Sequence, residues 1–344
     1  MINLYFVEAP FQLISAQEVA KTVSDKNILI IRKNGHARNE EQLDLILAKS
    51  KAQWTRVIQL KINRNSSFIH LLFSLNVFYL FYLKIITLFE RGGINIVAIG
   101  DYRSGLWRRL YPLFFGKALW FLDDGIALIN LYHKKNNNLV FDETLLEHES
   151  MGTSRYFIEN SSQNSKVIFK TFMNIEAPDP FTVENISLTS AFQSEKNKHQ
   201  TIDNSLVYFV GSKAVDDGIL SEADYLEICE RGYKQFSDKK VVYFPHREES
   251  QAMIDKIKDR FNFDIVRPIL PLEFHICQQD IVPSYIAGIS STALCTIAEI
   301  YPHIKIYLID FDRKNLTHDM RISFDACHEY IIKLREVSVM DWPA

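Results

Sequence analysis

The sequence predicts an α/β protein of two parallel-sheet domains, and three observations carry that expectation. Short apolar runs bounded by turn residues alternate with helical patterns from Leu4 to Leu122. The pattern loosens between about 130 and 204, and a second alternating series follows. At 344 residues the chain is long for one domain and comfortable for two, each with its own core.

In the first series the expected strands are Leu4–Val7, Ile28–Ile31, Arg56–Leu60, Ile94–Ile99 and Leu119–Leu122, with helices over Pro10–Lys21 and Glu41–Lys51. The polar stretches 134–138, 160–164 and 194–199 read as surface loops and a linker. The boundary is therefore expected near 185–203, giving domains 1–190 and 191–344. The second series has strands at Ser205–Val210, Lys240–Phe244, Phe263–Val266, Ile281–Ala287 and Lys305–Tyr307, and a helix over Glu222–Phe236. Two Rossmann-like domains facing across a cleft form the arrangement called GT-B, and that is the expected fold.

Composition excludes several classes. The 39 basic and 42 acidic residues leave a net charge of −3 with no long basic block, which argues against nucleic acid as a partner. Cys229, Cys277, Cys295 and Cys327 lie far apart, which suits a reducing compartment better than a zinc site or disulfide framework, so a cytoplasmic location is expected. The N-terminus reads as a first strand, because it lacks a basic region and meets Glu8 too soon for an export signal. Phe68–Phe89 is the most apolar stretch, but His70, Ser74, Asn76 and Lys84 interrupt it, so it reads as a core helix with enough aromatic residues for interfacial docking.

Four segments could carry chemistry. Ser290, Ser291 and Thr292 follow the strand Ile281–Ala287 and open a helical run, where free backbone N–H groups and the helix dipole can hold a phosphate; an ordinary Ser/Thr N-cap uses the same residues. His246 and Arg247 follow a strand that ends in Pro245, at the strand end where open α/β sheets place ligands. There a histidine titrating near neutrality can serve a leaving phosphate, and an arginine can pair with phosphate or carboxylate. Asp123 and Asp124 sit at a strand tip before Gly125, a pair of carboxylates suited to general base work, although Asp-Gly is also a common turn. The second Asp-Asp-Gly, at 216–218, lies on a polar stretch and reads as a loop. Glu273, at the end of a short segment of the second domain, could accept from the cis hydroxyls of a ribose.

In their order and spacing, Asp123-Asp124-Gly125, Pro245-His246-Arg247 and Ser290-Ser291 resemble the bacterial sialyltransferases, especially glycosyltransferase family 52 and the related bacterial polysialyltransferase-type family. The opening turn with Pro10 and Gln12, and Gly211-Ser212 at the start of the second domain, are similar to the same group. Arg247 departs from it, standing where a proline usually follows the histidine.

The resemblance implies an inverting transfer of N-acetylneuraminate from its CMP-activated form to a hydroxyl of a surface glycan, lipooligosaccharide or capsule. Ser290, Ser291, Thr292, Gly211 and Ser212 would hold the CMP, a cationic His246 would hydrogen-bond the leaving phosphate and Glu273 would hold the ribose; apart from the resemblance, Arg247 is expected to meet the donor carboxylate, and its departure from the pattern leaves the donor's identity open. Asp123 or Asp124 would take the acceptor proton; the resemblance favours Asp123, and the spacing leaves both open. Pro10, Gln12, Asp101 and Arg103 are expected on the acceptor side. No cofactor or metal is expected, because helix amides, hydroxyls and the histidine can stabilise a departing monophosphate. The expected partners are the CMP-activated nonulosonic acid and a glycan or glycolipid acceptor, with peripheral contact at the inner face of the inner membrane. Other readings are transfer of pseudaminic, legionaminic or ketodeoxyoctonic acid, a CDP-glycerol-type phosphotransferase, and a non-catalytic nucleotide-binding module.

Overall fold

The structure, a computed structural model, describes residues 1–49, 53–62, 76–89, 93–110, 114, 116–136, 138–142, 166–179, 181–193, 200–334 and 337–340. The chain divides into two compact units: Met1–Leu131 with Phe141–Ala191, and Tyr132–Val140 with Phe192–Ala344.

The first unit is built on strands β1 (Ile2–Val7), β2 (Lys26–Lys33), β3 (Arg56–Lys61), β4 (Ile94–Ile99), β5 (Gly116–Leu122), β8 (Lys166–Thr171) and β9 (Phe181–Asn185). They form one parallel sheet in the order β3-β2-β1-β4-β5-β8-β9. All six residues of β1 and seven of the eight in β2 are buried, as expected for strands covered on both faces. Helix α1 (Pro10–Ala20) starts with proline at its first turn, where the missing N–H costs nothing, and α2 (Ala37–Lys49) buries Leu43 and Ile46. Two short helices are α4 (Gly105–Leu110) after β4 and α5 (Thr189–Gln193) after β9.

Strands β8 and β9 lie within the stretch that reads as loops and linker. The apolar signal of Lys166-Val-Ile-Phe-Lys-Thr171 is short and set among polar runs, so periodicity alone underweights it. Packing makes the strand: the Phe169 ring stacks on Phe121 of β5 at 5.7 Å and meets Phe181 of β9 at 5.6 Å. Burying one such ring contributes about 1.5–3 kcal/mol.

The second unit repeats the plan with β10 (Thr201–Val210), β11 (Lys240–Phe244), β12 (Asp264–Ile265), β13 (Ile281–Gly288), β14 (Lys305–Ile309) and β15 (Val337–Met340), all parallel, in the order β12-β11-β10-β13-β14-β15. This is the doubly wound order, with its reversal between β10 and β13. The helices begin on side-chain caps: Ser221 accepts from the Asp224 amide to start α6 (Glu222–Gln235), and Ser250 from the Met253 amide to start α7 (Gln251–Arg260). Gly232 lets α6 lie against the sheet, since a Cβ there would stand 2.3 Å from the Phe209 ring.

One excursion departs from the expected domains 1–190 and 191–344. The hairpin of β6 (Tyr132–Lys135) and β7 (Asn138–Phe141) lies largely in 132–140 and so belongs to the second unit. It packs on α10 (His318–Ile332), where Lys134 pairs with the nearly buried Glu329 at 2.8 Å.

Of the expected Phe68–Phe89 segment, residues 68–75 lie outside the described residues, and α3 spans Asn76–Phe89. The core-helix expectation does not hold for its outer face: Phe78, Phe81, Leu88 and Phe89 are each at least 65% exposed, while Leu80 and Leu83 are buried. No helix among the described residues is long and apolar enough to cross a membrane.

Candidate active site

Three adjacent strand tips of the second unit bring the expected donor residues together. Val210 at the end of β10 pairs with Phe244 at the end of β11 on one side and with Gly288 at the end of β13 on the other. The loops Gly211-Ser212, Pro245-His246-Arg247 and Ile289-Ser290-Ser291 therefore leave the sheet side by side, at the point where the strand order reverses. Glycine is required at two of these exits. A Cβ on Gly288 would stand 2.9 Å from the Val210 carbonyl oxygen, and one on Gly211 would stand 2.6 Å from Glu249 Oε2.

Ser291 caps α9 (Thr292–Ile300), its hydroxyl accepting from the Leu294 amide at 3.4 Å. Ser290, Ser291 and Thr292 are all half-buried, so the helix N-terminus is open to a ligand even though one serine serves as the cap. The capping role and the expected phosphate-holding role therefore fall on the same helix end.

His246 differs from the expected cationic histidine. Burial and the neighbouring Arg247 guanidinium push its imidazole down to about 4, so the ring is neutral at physiological pH. Nδ1 accepts the Glu248 amide at 3.1 Å. The ring proton is then on Nε2, which makes Nε2–H a hydrogen-bond donor with its tautomer fixed by the backbone. Lys213 stands near by, sharing its ammonium between Asp217 and Glu248 at 3.1 Å each. Arg247 has a buried Nε with no hydrogen-bond partner among the described residues.

Behind the loops runs a buried polar chain that sequence reasoning missed. The Ser212 amide donates to the Tyr225 hydroxyl at 2.7 Å; the Tyr225 and Tyr243 hydroxyls are 2.9 Å apart; Tyr243 donates to Glu249 Oε1 at 2.7 Å; and the His246 amide donates to Glu249 Oε2 at 2.9 Å. Glu249 is 2% exposed, and burial pushes its carboxyl up to about 7. Tyr225 reads in the sequence as a helix residue and Tyr243 as a strand residue. The signal available was Gly211, a glycine at a strand exit where a larger residue would strike Tyr243 and Glu249.

Glu273 sits in the first turn of α8 (Leu272–Gln278), buried, and accepts from the Thr296 hydroxyl of α9. Burial raises its pKa. In this arrangement it braces α8 against the donor helix and does not present an open carboxylate to a ribose. The second Asp-Asp-Gly is structural: Asp216 accepts the Ser250 amide at 3.0 Å, Asp217 pairs with Lys213, and Gly218 takes a φ of 68°.

The first unit gathers the residues expected on the acceptor side near the tips of β1, β4 and β5. Asp123 is fully buried and anchored, its Oδ2 accepting the Phe172 amide after β8 at 2.8 Å. Asp124 is partly exposed, and Arg103 Nη2 reaches its Oδ2 at 3.4 Å. Arg103 also makes a two-pronged contact with Asp101, at 3.0 and 3.1 Å. Burial opposes the guanidinium charge, but the Asp101 carboxylate outweighs it, so the Arg103 pKa is raised. Pro10 and Gln12 lie beneath this surface: both are buried, and Gln12 Oε1 accepts the Glu8 amide at 2.8 Å while filling the space that a Cβ on Gly100 would need. They shape the turn under the acceptor-side residues instead of lining it. Among the described residues no group of three or more His, Cys, Asp or Glu side chains could hold a metal ion.

Over residues 3–310 the sequence matches the family model described as alpha-2,8-polysialyltransferase. The fold resembles the crystal structure of an alpha/beta-galactoside alpha-2,3-sialyltransferase from the luminous marine bacterium Photobacterium phosphoreum, with a TM-score of 0.56 and 13% identity over 98% of each chain. It also resembles UDP-GlcNAc 2-epimerases. That of Methanocaldococcus jannaschii gives a TM-score of 0.52 and 13% identity over 98% of this chain and 94% of that one; that of Neisseria meningitidis gives 0.50 and 10% over 97% and 94%. These likenesses place the fold in the GT-B class. No curated protein sequence matches the chain.

Proposed function

The chain belongs to the alpha-2,8-polysialyltransferase family and is a glycosyltransferase of the sialyltransferase class, and from that premise we propose that it moves N-acetylneuraminate from CMP-N-acetylneuraminate to a glycan hydroxyl with inversion, without a metal. The linkage in the family's description favours a sialic acid as the attacked residue, at the end of a surface glycan such as capsule or lipooligosaccharide. The observation that carries this reading is the row Phe244, Val210, Gly288, which sets the His246, Gly211-Ser212 and Ser290-Ser291 loops beside one another at the sheet's reversal point.

In this reading the CMP phosphate rests on the N-terminus of α9 and the hydroxyls of Ser290, Ser291 and Thr292. His246 Nε2–H donates to the bridging or a terminal phosphate oxygen and strengthens as the charge grows. Arg247, with its unsatisfied buried Nε, meets the donor's carboxylate. The acceptor oxygen forms its bond to the anomeric carbon as the carbon–oxygen bond to phosphate breaks. The electron pair goes to CMP, and the acceptor proton goes to the Asp123–Asp124 pair of the first unit. A neutral donor histidine, helix amides and an arginine supply the stabilisation for which other transferases use a divalent ion.

The exposed face of α3, with Phe78, Phe81, Leu88 and Phe89, supports a peripheral position at the inner face of the cytoplasmic membrane. Retention of the protein on liposomes that is lost when Phe81 and Leu88 are changed to Ser is the expected behaviour.

CMP release from CMP-N-acetylneuraminate tests the activity, with a sialylated acceptor and in EDTA. Turnover that survives EDTA and falls in His246→Ala and in the Asp123→Ala/Asp124→Ala double variant supports the proposal. Turnover with another CMP-activated acid and none with this one would move the donor assignment. CMP binding without turnover on any donor would point to a non-catalytic module.

A further inference from the structure

Four donors and four acceptor positions make up the buried chain behind the donor loops, and the count constrains its charge state. The donors are the Ser212 amide, the Tyr225 and Tyr243 hydroxyls and the His246 amide. Because Tyr243 gives its proton to Glu249, Tyr225 must donate to Tyr243, and each link then has one donor. Both carboxylate oxygens are used as acceptors. Protonated Glu249 would bring a fifth donor to four links, so one proton would be left in the buried chain with no acceptor there.

We propose that Glu249 is the positioning residue of the donor site: its carboxylate ties the His246 loop at the tip of β11, through Tyr243 and Tyr225, to the Ser212 amide at the tip of β10. Donor contacts from two strands are thereby held in one register by one buried anion. The proposal rests on the reading of these loops as the donor site. Glu249 touches no substrate in this arrangement and acts through the His246 and Ser212 backbones.

The surroundings agree with a working buried carboxylate. Glu249 is 2% exposed, yet both oxygens have donors. Its own backbone carbonyl receives Arg267 Nη2 at 2.9 Å, which pins the loop from the β12 side. The groups facing it are Tyr243, His246, Asp216, Arg267, Tyr225 and Cys229; burial dominates, Asp216 adds to the upward shift, and Arg267 opposes it. A carboxyl that titrates at about 7 takes the chain, near neutrality, between a form in which every donor is matched and one with a donor too many.

The test uses the full-length protein, 15N-labelled at serine and histidine, with wild type, Glu249→Gln and Tyr243→Phe. In wild type the Ser212 and His246 amide resonances are expected to shift together with one midpoint near neutral pH. Glu249→Gln should abolish both shifts, because the side-chain amide does not titrate. Tyr243→Phe should keep the His246 shift and lose that of Ser212. Calorimetry with CMP at pH 8 gives the second readout. Glu249→Gln should weaken CMP about tenfold or more, as expected when a bond to a charged acceptor is lost, with binding stoichiometry still one per chain. A merely destabilised protein would lose stoichiometry and keep its dissociation constant.

The proposal is overturned if the Ser212 amide titrates unchanged in Tyr243→Phe, or if Glu249→Gln leaves both the titration and CMP affinity as in wild type. If wild type binds no CMP but the amide pattern appears, the donor assignment fails and the coupling stands.

Discussion

A Cβ on Gly211 would stand 2.5 Å from the Tyr243 hydroxyl oxygen, a separation that real side chains do not adopt. The hydroxyl belongs to a buried chain and cannot swing away without breaking a link. Gly211→Ala is therefore expected to lower stability by about 1–3 kcal/mol, the usual cost of overpacking, and to weaken donor binding with it. Thermal melting and CMP titration measure the two effects.

His246 is held neutral with its proton on Nε2. The side-chain amide of glutamine can reproduce a donor at that position, whereas alanine cannot. His246→Gln should keep at least about tenfold more turnover than His246→Ala, the value of one hydrogen bond to a charged oxygen. Equal loss in both variants would mean that the ring acts by proton transfer and not by donation.

Asp123 and Asp124 should separate by stability. Asp123 is fully buried and accepts the Phe172 amide, so Asp123→Asn is expected to cost about 1–3 kcal/mol on unfolding. Asp124 is a partly exposed ion-pair partner of Arg103, and Asp124→Asn should change stability by less than about 1 kcal/mol. Both variants should reduce transfer while leaving CMP affinity near that of wild type, which single-turnover and binding measurements together would reveal.

Glu249 gives a pH signature of defined sign. Its folded pKa of about 7 lies above its ordinary value, so the folded state holds the proton more tightly than the unfolded chain. Its contribution to stability is present in full below the ordinary carboxylate range and is lost as pH rises through about 7. Denaturant unfolding of wild type between pH 5 and 8 should show this fall, and Glu249→Gln should remove it. Function runs the other way, since in the ionised form every donor of the chain between the two loops is matched.

Much of the fold was legible because β1, β2, β4 and the Leu206–Val210 half of β10 are buried on both faces and read as nearly continuous apolar runs. The tips that carry Asp123, His246 and Ser290 followed from similar runs. Strands β8 and β9 were not legible: Phe169 takes its place by stacking on Phe121, a contact between residues far apart in sequence, and Phe181 by packing on Phe169. The outer face of α3 was misjudged because the segment is apolar nearly throughout, so composition could not say which face turns outward. The candidate residues that the fold brings side by side are those whose chemistry is conspicuous at a strand end. Glu249 was passed over beside Glu248, since a glutamate pair after a strand ordinarily looks solvated, and only the fold closes one over and leaves the other at the surface. Glu273 shows the converse, a carboxylate read as a ligand group that the fold uses between two helices.

The hairpin at 132–140 gives the molecule a connectivity that resists modular exchange. The backbone passes from the first unit to the second at Leu131, returns at Phe141, and leaves again after Ala191. A chimera that grafts a relative's donor half after residue 191 would carry a foreign hairpin against α10 and mismatch the Lys134–Glu329 pair. An exchange of the whole second unit therefore has to carry two separate stretches of sequence, 132–140 and 192–344.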